Sequence, residues 1–325
     1  VEHFFSDSFI AKFILLDIIY KQISKYTGFS RMSKLKLVDQ INDPGNPEKP
    51  SEDVIGFDSD KRICWVIDGA SDDYIDMPQD QITGERLNAY WAANTLSKLF
   101  KSHADIALRD TPEYFRRVLN DFKEIFEQAS GQKTDDIPRE KHPIAAFAWA
   151  RYQPETHTLT LAGLGDCKAY AMTDKGQILE NTTTTNPDYE RLRDAAWAKE
   201  FGNKGLSLNR EGVRERLIAI RRVANMPDRG GSSVLGPHPE AAAFVSIEEI
   251  DLSPQRLDTL FISSDGLMRL SDTFEEYTAD LLFEAVLDNS LHYMIHQELR
   301  PREKINMEQS DTPVVKSHDD AAAAV

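Results

Sequence analysis

Apolar runs bounded by turn residues mark most of the strands. Arg62 to Ile67 (RICWVI) is β-branched and aromatic enough for a buried strand, with a shorter candidate at Asp53 to Phe57. Ile144 to Arg151 and Leu159 to Leu164 flank a hairpin turn at Gln153-Pro154-Glu155-Thr156. Lys168 to Met172, Thr259 to Ser263 and a small-residue run ending at Val325 complete the set. A spacing of three and four marks the helices. Leu87, Trp91, Leu96 and Leu99 share one face of a helical span that begins near Gly84. Tyr114, Val118, Phe122 and Phe126 mark a second helix, with Thr111 as N-cap before Pro112. Residues 274–299 are helical again, and 187–225 form a polar, helix-prone flap broken by Gly202, Gly205 and Gly212.

Helices and strands do not alternate regularly, so a doubly wound parallel sheet fits poorly. The pattern predicts α+β, with antiparallel sheets carrying helices on their outer faces. Residues 1–40 stand apart: Phe9, Phe13, Leu16 and Tyr20 recur at helical spacing, giving an N-terminal accessory helix or a non-native extension ahead of a 41–325 domain.

Composition narrows the function. A net charge of −16 disfavours nucleic acid and anionic lipid. No apolar stretch reaches the length of a membrane span, and a cytoplasmic monomer is expected. The two cysteines, Cys64 and Cys167, lie in apolar runs too far apart for a metal-binding motif and read as structural thiols. The Arg214–Arg222 cluster (RERLIAIRR) reads as a solvated helix face or, on the flap, as a surface that could meet an acidic or phosphorylated substrate.

Four aspartates carry the chemistry. Asp68 and Asp265 end apolar strands and precede a glycine, Asp166 follows one, and Asp319 lies in the last turn. Each alone reads as a turn. Brought together they would repel one another unless a hard divalent cation, Mg²⁺ or Mn²⁺, sat among them.

The strings Ser51-Glu52-Asp53-Val54, Val66-Ile67-Asp68-Gly69, Leu164-Gly165-Asp166-Cys167-Lys168-Ala169-Tyr170, Ile262-Ser263-Ser264-Asp265-Gly266-Leu267 and His318-Asp319-Asp320 resemble, in order, five motifs of the metal-dependent (type 2C) protein serine/threonine phosphatases. The resemblance spans about Glu48 to Val325. It implies a four-layer αββα sandwich of two antiparallel sheets flanked by helices. It also implies hydrolysis of phosphoserine or phosphothreonine in a phosphorylated protein substrate, by water activated between two Mg²⁺ or Mn²⁺ ions. In that pattern Asp68 bridges the ions, the Gly69 carbonyl serves one, Asp265 and Asp319 hold the other, and Glu52, with Asp53 beside it, acts directly or through water. Asp166 matches a third-metal ligand, but Arg269 stands where its acidic partner would be. The arginine that grips phosphate is also replaced, leaving Lys49 as a point charge. A weakly active or inactive phosphatase-like module that binds a phosphorylated partner is the alternative reading, and a two-metal hydrolase of small phosphate esters is a third.

Overall fold

Among the described residues, ten strands pair into two antiparallel sheets. The computed structural model describes residues 34–72, 75–181, 210–226, 233–309 and 318–325. Numbered along the chain, its strands are β1 (Gln40–Asp43), β2 (Asp53–Asp58), β3 (Ile63–Gly69), β4 (Ala145–Gln153), β5 (Thr158–Leu164), β6 (Lys168–Thr173), β7 (Ile178–Glu180), β8 (Ser246–Asp251), β9 (Leu257–Ser263) and β10 (Ala321–Ala324). One sheet runs β1-β10-β9-β6-β7 and the other β2-β3-β4-β5-β8.

Strand periodicity sorts the core into layers. Along β3, Cys64 and Val66 face the space between the sheets, where they meet Ala148, Ala169, Ile262 and Ala322. The intervening Ile63, Trp65 and Ile67 point the other way, into a layer with Phe100, Phe115 and Phe122. Those aromatics come from α1 (Ala89–Ser102) and α3 (Thr111–Ser130), joined by the short α2 (Ala104–Ala107). On the far side, Tyr170, Phe261 and Ala323 pack against Leu267, Leu282, Phe283 and Ile295. Here the helices are α5 (Asp265–Asp272), α6 (Ala279–Asp288) and α7 (Leu291–Tyr293), the last running through a π-helical stretch, Met294–Leu299, into α8 (Arg300–Gln309). α4 (Arg210–Val223) lies ahead of β8 in the chain. The order helix, sheet, sheet, helix is the expected αββα sandwich.

Caps correct two boundaries. α1 starts at Ala89 rather than near Gly84, because the Asn88 side chain accepts from Trp91 N–H. α3 is capped by Asp110, whose carboxylate accepts from Glu113 N–H at 2.9 Å, so Thr111 is the first helical residue and not the cap. Pro112 in the first turn and Gly131, left-handed at φ 66°, bracket that helix.

The chain divides into two units, Val1–Lys34 and Leu35–Val325. The accessory helix expected around Phe9 to Tyr20 falls outside the described residues, as does most of the expected flap; its last part is α4, which runs through Gly212 unbroken. Among the described residues no helix is long and apolar enough to cross a membrane.

Candidate metal centre

The inner-face periodicity of β2 and β3 ends in aspartates. Asp53 and Asp68 are directly opposed partners in the β2–β3 ladder. Each continues an inner-face row, Phe57 and Ile55 leading to Asp53, Cys64 and Val66 to Asp68. Apolar side chains therefore give way to carboxylates at one end of the sandwich.

The second sheet supplies the rest. Asp265 opens α5 straight after β9, Asp319 and Asp320 immediately precede β10, and Asp166 sits in the turn between β5 and β6. β9 and β10 pair through Ala323↔Ser263, which sets these two ends side by side. Gly266 is required there: a Cβ on it would lie 1.8 Å from the Asp320 carbonyl oxygen. Gly69 is similarly hemmed in, its Cβ position falling 2.8 Å from the Ala89 carbonyl oxygen and 2.9 Å from that of Glu52.

Electrostatics describe one acidic cluster. Burial pushes the Asp68 carboxyl well above the usual carboxylate range, and Asp53, Asp265, Asp166 and Asp319 push it further. Asp53 is raised as well, first by burial; Ser264 opposes this with a hydrogen bond, while Asp265, Asp320 and Asp319 add to it. Asp53 is only 2% exposed, and its Oδ2 has no hydrogen-bond partner among the described residues. An orphaned buried carboxylate oxygen amid four other acids is costly by itself and suits a bound cation. The donors are carboxylates, which match Mg²⁺ and Mn²⁺.

Not every expected residue points into the cluster. Glu52 turns aside: its carboxylate accepts from the Ser71 hydroxyl at 2.6 Å, and its main-chain oxygen accepts from Gly69 N–H. Its neighbour Asp53 takes the inward place. Asp320 binds main chain, accepting from Gly45 N–H at 2.8 Å and Glu52 N–H at 2.6 Å, and so ties β2 to the last turn. Lys49 is exposed in a turn closed by its N–H to the Asn46 carbonyl, and the strongest charged neighbours of Asp53 and Asp68 are aspartates. Arg269 is buried and bonded to Glu303, with its guanidinium 5.3 Å from the Phe274 ring centre. Glu303 in turn accepts from Arg300 at 2.8 Å and from Asp319 N–H at 3.4 Å.

One residue of the Arg214–Arg222 cluster departs from the expected solvated face. Arg221 is no solvated side chain; it is 3% exposed and donates to the main-chain oxygens of Ala70, Ser71 and His142 at 2.6, 2.9 and 3.0 Å. It thereby pins the loop that follows Asp68-Gly69. Burial lowers its pKa to about 10, against the pull of Asp72 and Glu52. Arg222, by contrast, is exposed and pairs with Glu140. Cys167 is buried in the core, as expected of a structural thiol, and its Sγ and carboxylate oxygens of Asp68 and Asp166 all lie within 4.8 Å of one another. Burial, then Asp68 and Asp166, push its thiol well above the usual range.

No protein-family model matches the chain, and no curated protein sequence does. Solved structures do. Serine/threonine phosphatase Stp1 from Staphylococcus aureus is similar at 14% identity and a TM-score of 0.50, over 92% of this chain and 97% of that one. A bacterial serine phosphatase aligns over 89% of this chain and 96% of its own, at 14% identity and a TM-score of 0.49. The serine/threonine phosphatase PstP/Ppp of Mycobacterium tuberculosis aligns over 88% and 95%, at 13% identity and a TM-score of 0.47. At these identities the likeness is one of fold.

Proposed function

We propose that residues 41–325 form a metal-dependent phosphatase domain that hydrolyses phosphoserine or phosphothreonine in proteins. The observation that carries this is the convergence of Asp53, Asp68, Asp166, Asp265 and Asp319 at one end of the sandwich, with the buried Asp53 Oδ2 left without a partner. The fold shared with Stp1 supports the same reaction class.

Asp68 is central, since Asp53, Asp265, Asp166 and Asp319 all act on it, and it would be the ligand shared between cations. Asp53, Asp265 and Asp319 would complete the set, with the Gly69 carbonyl and Glu52 as supporting groups. Two Mg²⁺ or Mn²⁺ ions held there would activate water for in-line attack on phosphorus and offset charge on the phosphoryl oxygens. The protein's own contribution is preorganisation. Ser264 orients Asp53, Glu303 and Asp320 hold the last turn, and Arg221 fixes the loop after Gly69. Lys49, exposed ahead of β2, would meet a phosphate as a point charge.

The weakly active reading draws on that same feature, because an exposed lysine replaces a bidentate grip. Hydrolysis of a phosphothreonine peptide with and without Mn²⁺ decides between them. Mn²⁺-dependent turnover that is lost in Asp68→Asn supports the enzyme; peptide binding without turnover supports the module. A phosphopeptide panel run against a small aryl phosphate separates protein phosphatase from small-ester hydrolase.

A further inference from the structure

Cys167 sits at the floor of the acidic cluster. It follows Asp166 and precedes β6, and with Ala169 and Ala171 it belongs to the layer between the sheets. Its sulfur is fully buried, yet it lies within 4.8 Å of carboxylate oxygens of both Asp68 and Asp166, which lie as close to each other. Next to them stands Asp53, nearly fully buried, with one carboxylate oxygen unpartnered, and it is a charged neighbour of both Asp68 and Cys167. A set of one sulfur and several oxygens differs in kind from the all-oxygen set that suits Mg²⁺ or Mn²⁺.

We propose that Cys167, Asp68 and Asp166 form a mixed sulfur–carboxylate site for a thiophilic divalent cation of the Zn²⁺ class, and that filling it holds the centre inactive because Asp68 is committed to it. The second clause rests on the phosphatase reading; the first does not.

The geometry suits the ion. Zinc binds sulfur at about 2.3 Å and oxygen at about 2.0–2.2 Å, so tetrahedral donors stand roughly 3.3–3.8 Å apart. Donors within 4.8 Å of one another need to close by only about 1 Å, a rotamer adjustment. Three protein donors leave a fourth position for water. On binding, the thiol gives its proton to solvent as the sulfur–metal bond forms. Hard cations gain little from sulfur, which makes the site selective by ligand type. Cys64 provides an internal control: it is buried on β3 in the same layer but is not part of the three-residue cluster.

The test titrates the metal-free full chain with Cd²⁺ alone and follows the ultraviolet thiolate-to-cadmium absorption. The expected result is a band saturating at about one equivalent, retained in Cys64→Ser and lost in Cys167→Ser. Zn²⁺ should displace the Cd²⁺ and abolish the band. Zn²⁺ should also inhibit Mn²⁺-supported phosphopeptide hydrolysis, with an inhibition constant at least about tenfold higher in Cys167→Ser. Absence of a band in the wild-type chain, or a band that survives in Cys167→Ser, overturns the proposal. Should Cys167→Ser fail to fold by circular dichroism, Asp166→Asn takes its place, and unchanged Cd²⁺ affinity there overturns the site. A cadmium band in a chain without Mn²⁺-dependent turnover supports the sulfur site and defeats the phosphatase reading instead.

Discussion

Replacing Asp53 with asparagine should stabilise the metal-free protein and destabilise the metal-loaded one. Asp53 and Asp68 face each other across an antiparallel pair, where Cβ atoms lie about 4.5–5.5 Å apart. At an effective dielectric of about 20, two full charges at that distance repel by about 3 kcal/mol. Both carboxyls are raised toward the protonated form, which relieves part of this, so the net gain on neutralising Asp53 is about 1–2 kcal/mol. Asparagine keeps the shape and can still accept from Ser264. For a domain of this size the shift is roughly 2–6 °C upward in chelator. With Mn²⁺ at about 100 times its dissociation constant, the wild-type chain gains about 2.7 kcal/mol per site, a gain the variant forgoes. The order of the two melting temperatures should therefore reverse between chelator and Mn²⁺, as read by differential scanning calorimetry. A variant that melts lower in both conditions, by the same margin, would refute the electrostatic argument. The pH dependence has a fixed sign too. A carboxyl raised in the folded state lends stability below its unfolded value of about 3.8 and loses it as pH climbs through the folded range, so metal-free wild-type protein should weaken as pH rises and the variant less so.

Arg221→Met removes three bonds to main-chain oxygens, and should cost about 2–4 kcal/mol and weaken Mn²⁺ binding about tenfold or more, whereas exposed Arg222→Ala should stay within about 0.5 kcal/mol; urea melts and calorimetric titration read both. Glu303→Ala removes the carboxylate that pairs with buried Arg269 and Arg300 and accepts from the Asp319 N–H, for an expected loss of about 3–5 kcal/mol in denaturant melts; a loss below about 1 kcal/mol contradicts the bracing role. His142 and His238 form a buried pair 2.8 Å apart, in which His142 Nε2 donates to the Thr134 and Ile137 carbonyls and Nδ1 accepts from His238. Burial holds them at about 4 and about 3, so their stabilisation is complete above about 6.5 and disappears as pH falls, by on the order of 3 kcal/mol for His142. Thermal melts between pH 7 and 4.5 should show this slope, flattened in His142→Phe.

Much of this architecture was legible because it is periodic. RICWVI alternates between two buried faces, and its strand does lie between helices on one side and the second sheet on the other. β8 (SIEEID) escaped notice because an edge strand half open to water carries glutamates where a central strand would carry valines. The aspartates were found by their positions at strand ends, but sequence order could not say which member of Glu52-Asp53 faces inward. That follows from the register with Asp68, which puts Asp53 on the inner row and leaves Glu52 to Ser71. Arg221 looked solvated because an isolated helix pattern does not reveal that carbonyls of a distant loop await it. The closeness of Cys167 to two carboxylates was not legible, because one of them is almost a hundred residues away in the chain, a proximity only the tertiary fold creates.

Whether the acidic cluster is a seat for hard divalent cations is tested most directly by calorimetric titration of the chelator-stripped chain with Mn²⁺. Two bound ions per chain are expected, with both lost or greatly weakened in Asp68→Asn. A folded wild-type chain that takes up no Mn²⁺, or an Asp68→Asn chain that binds it as well as the wild type, would contradict it.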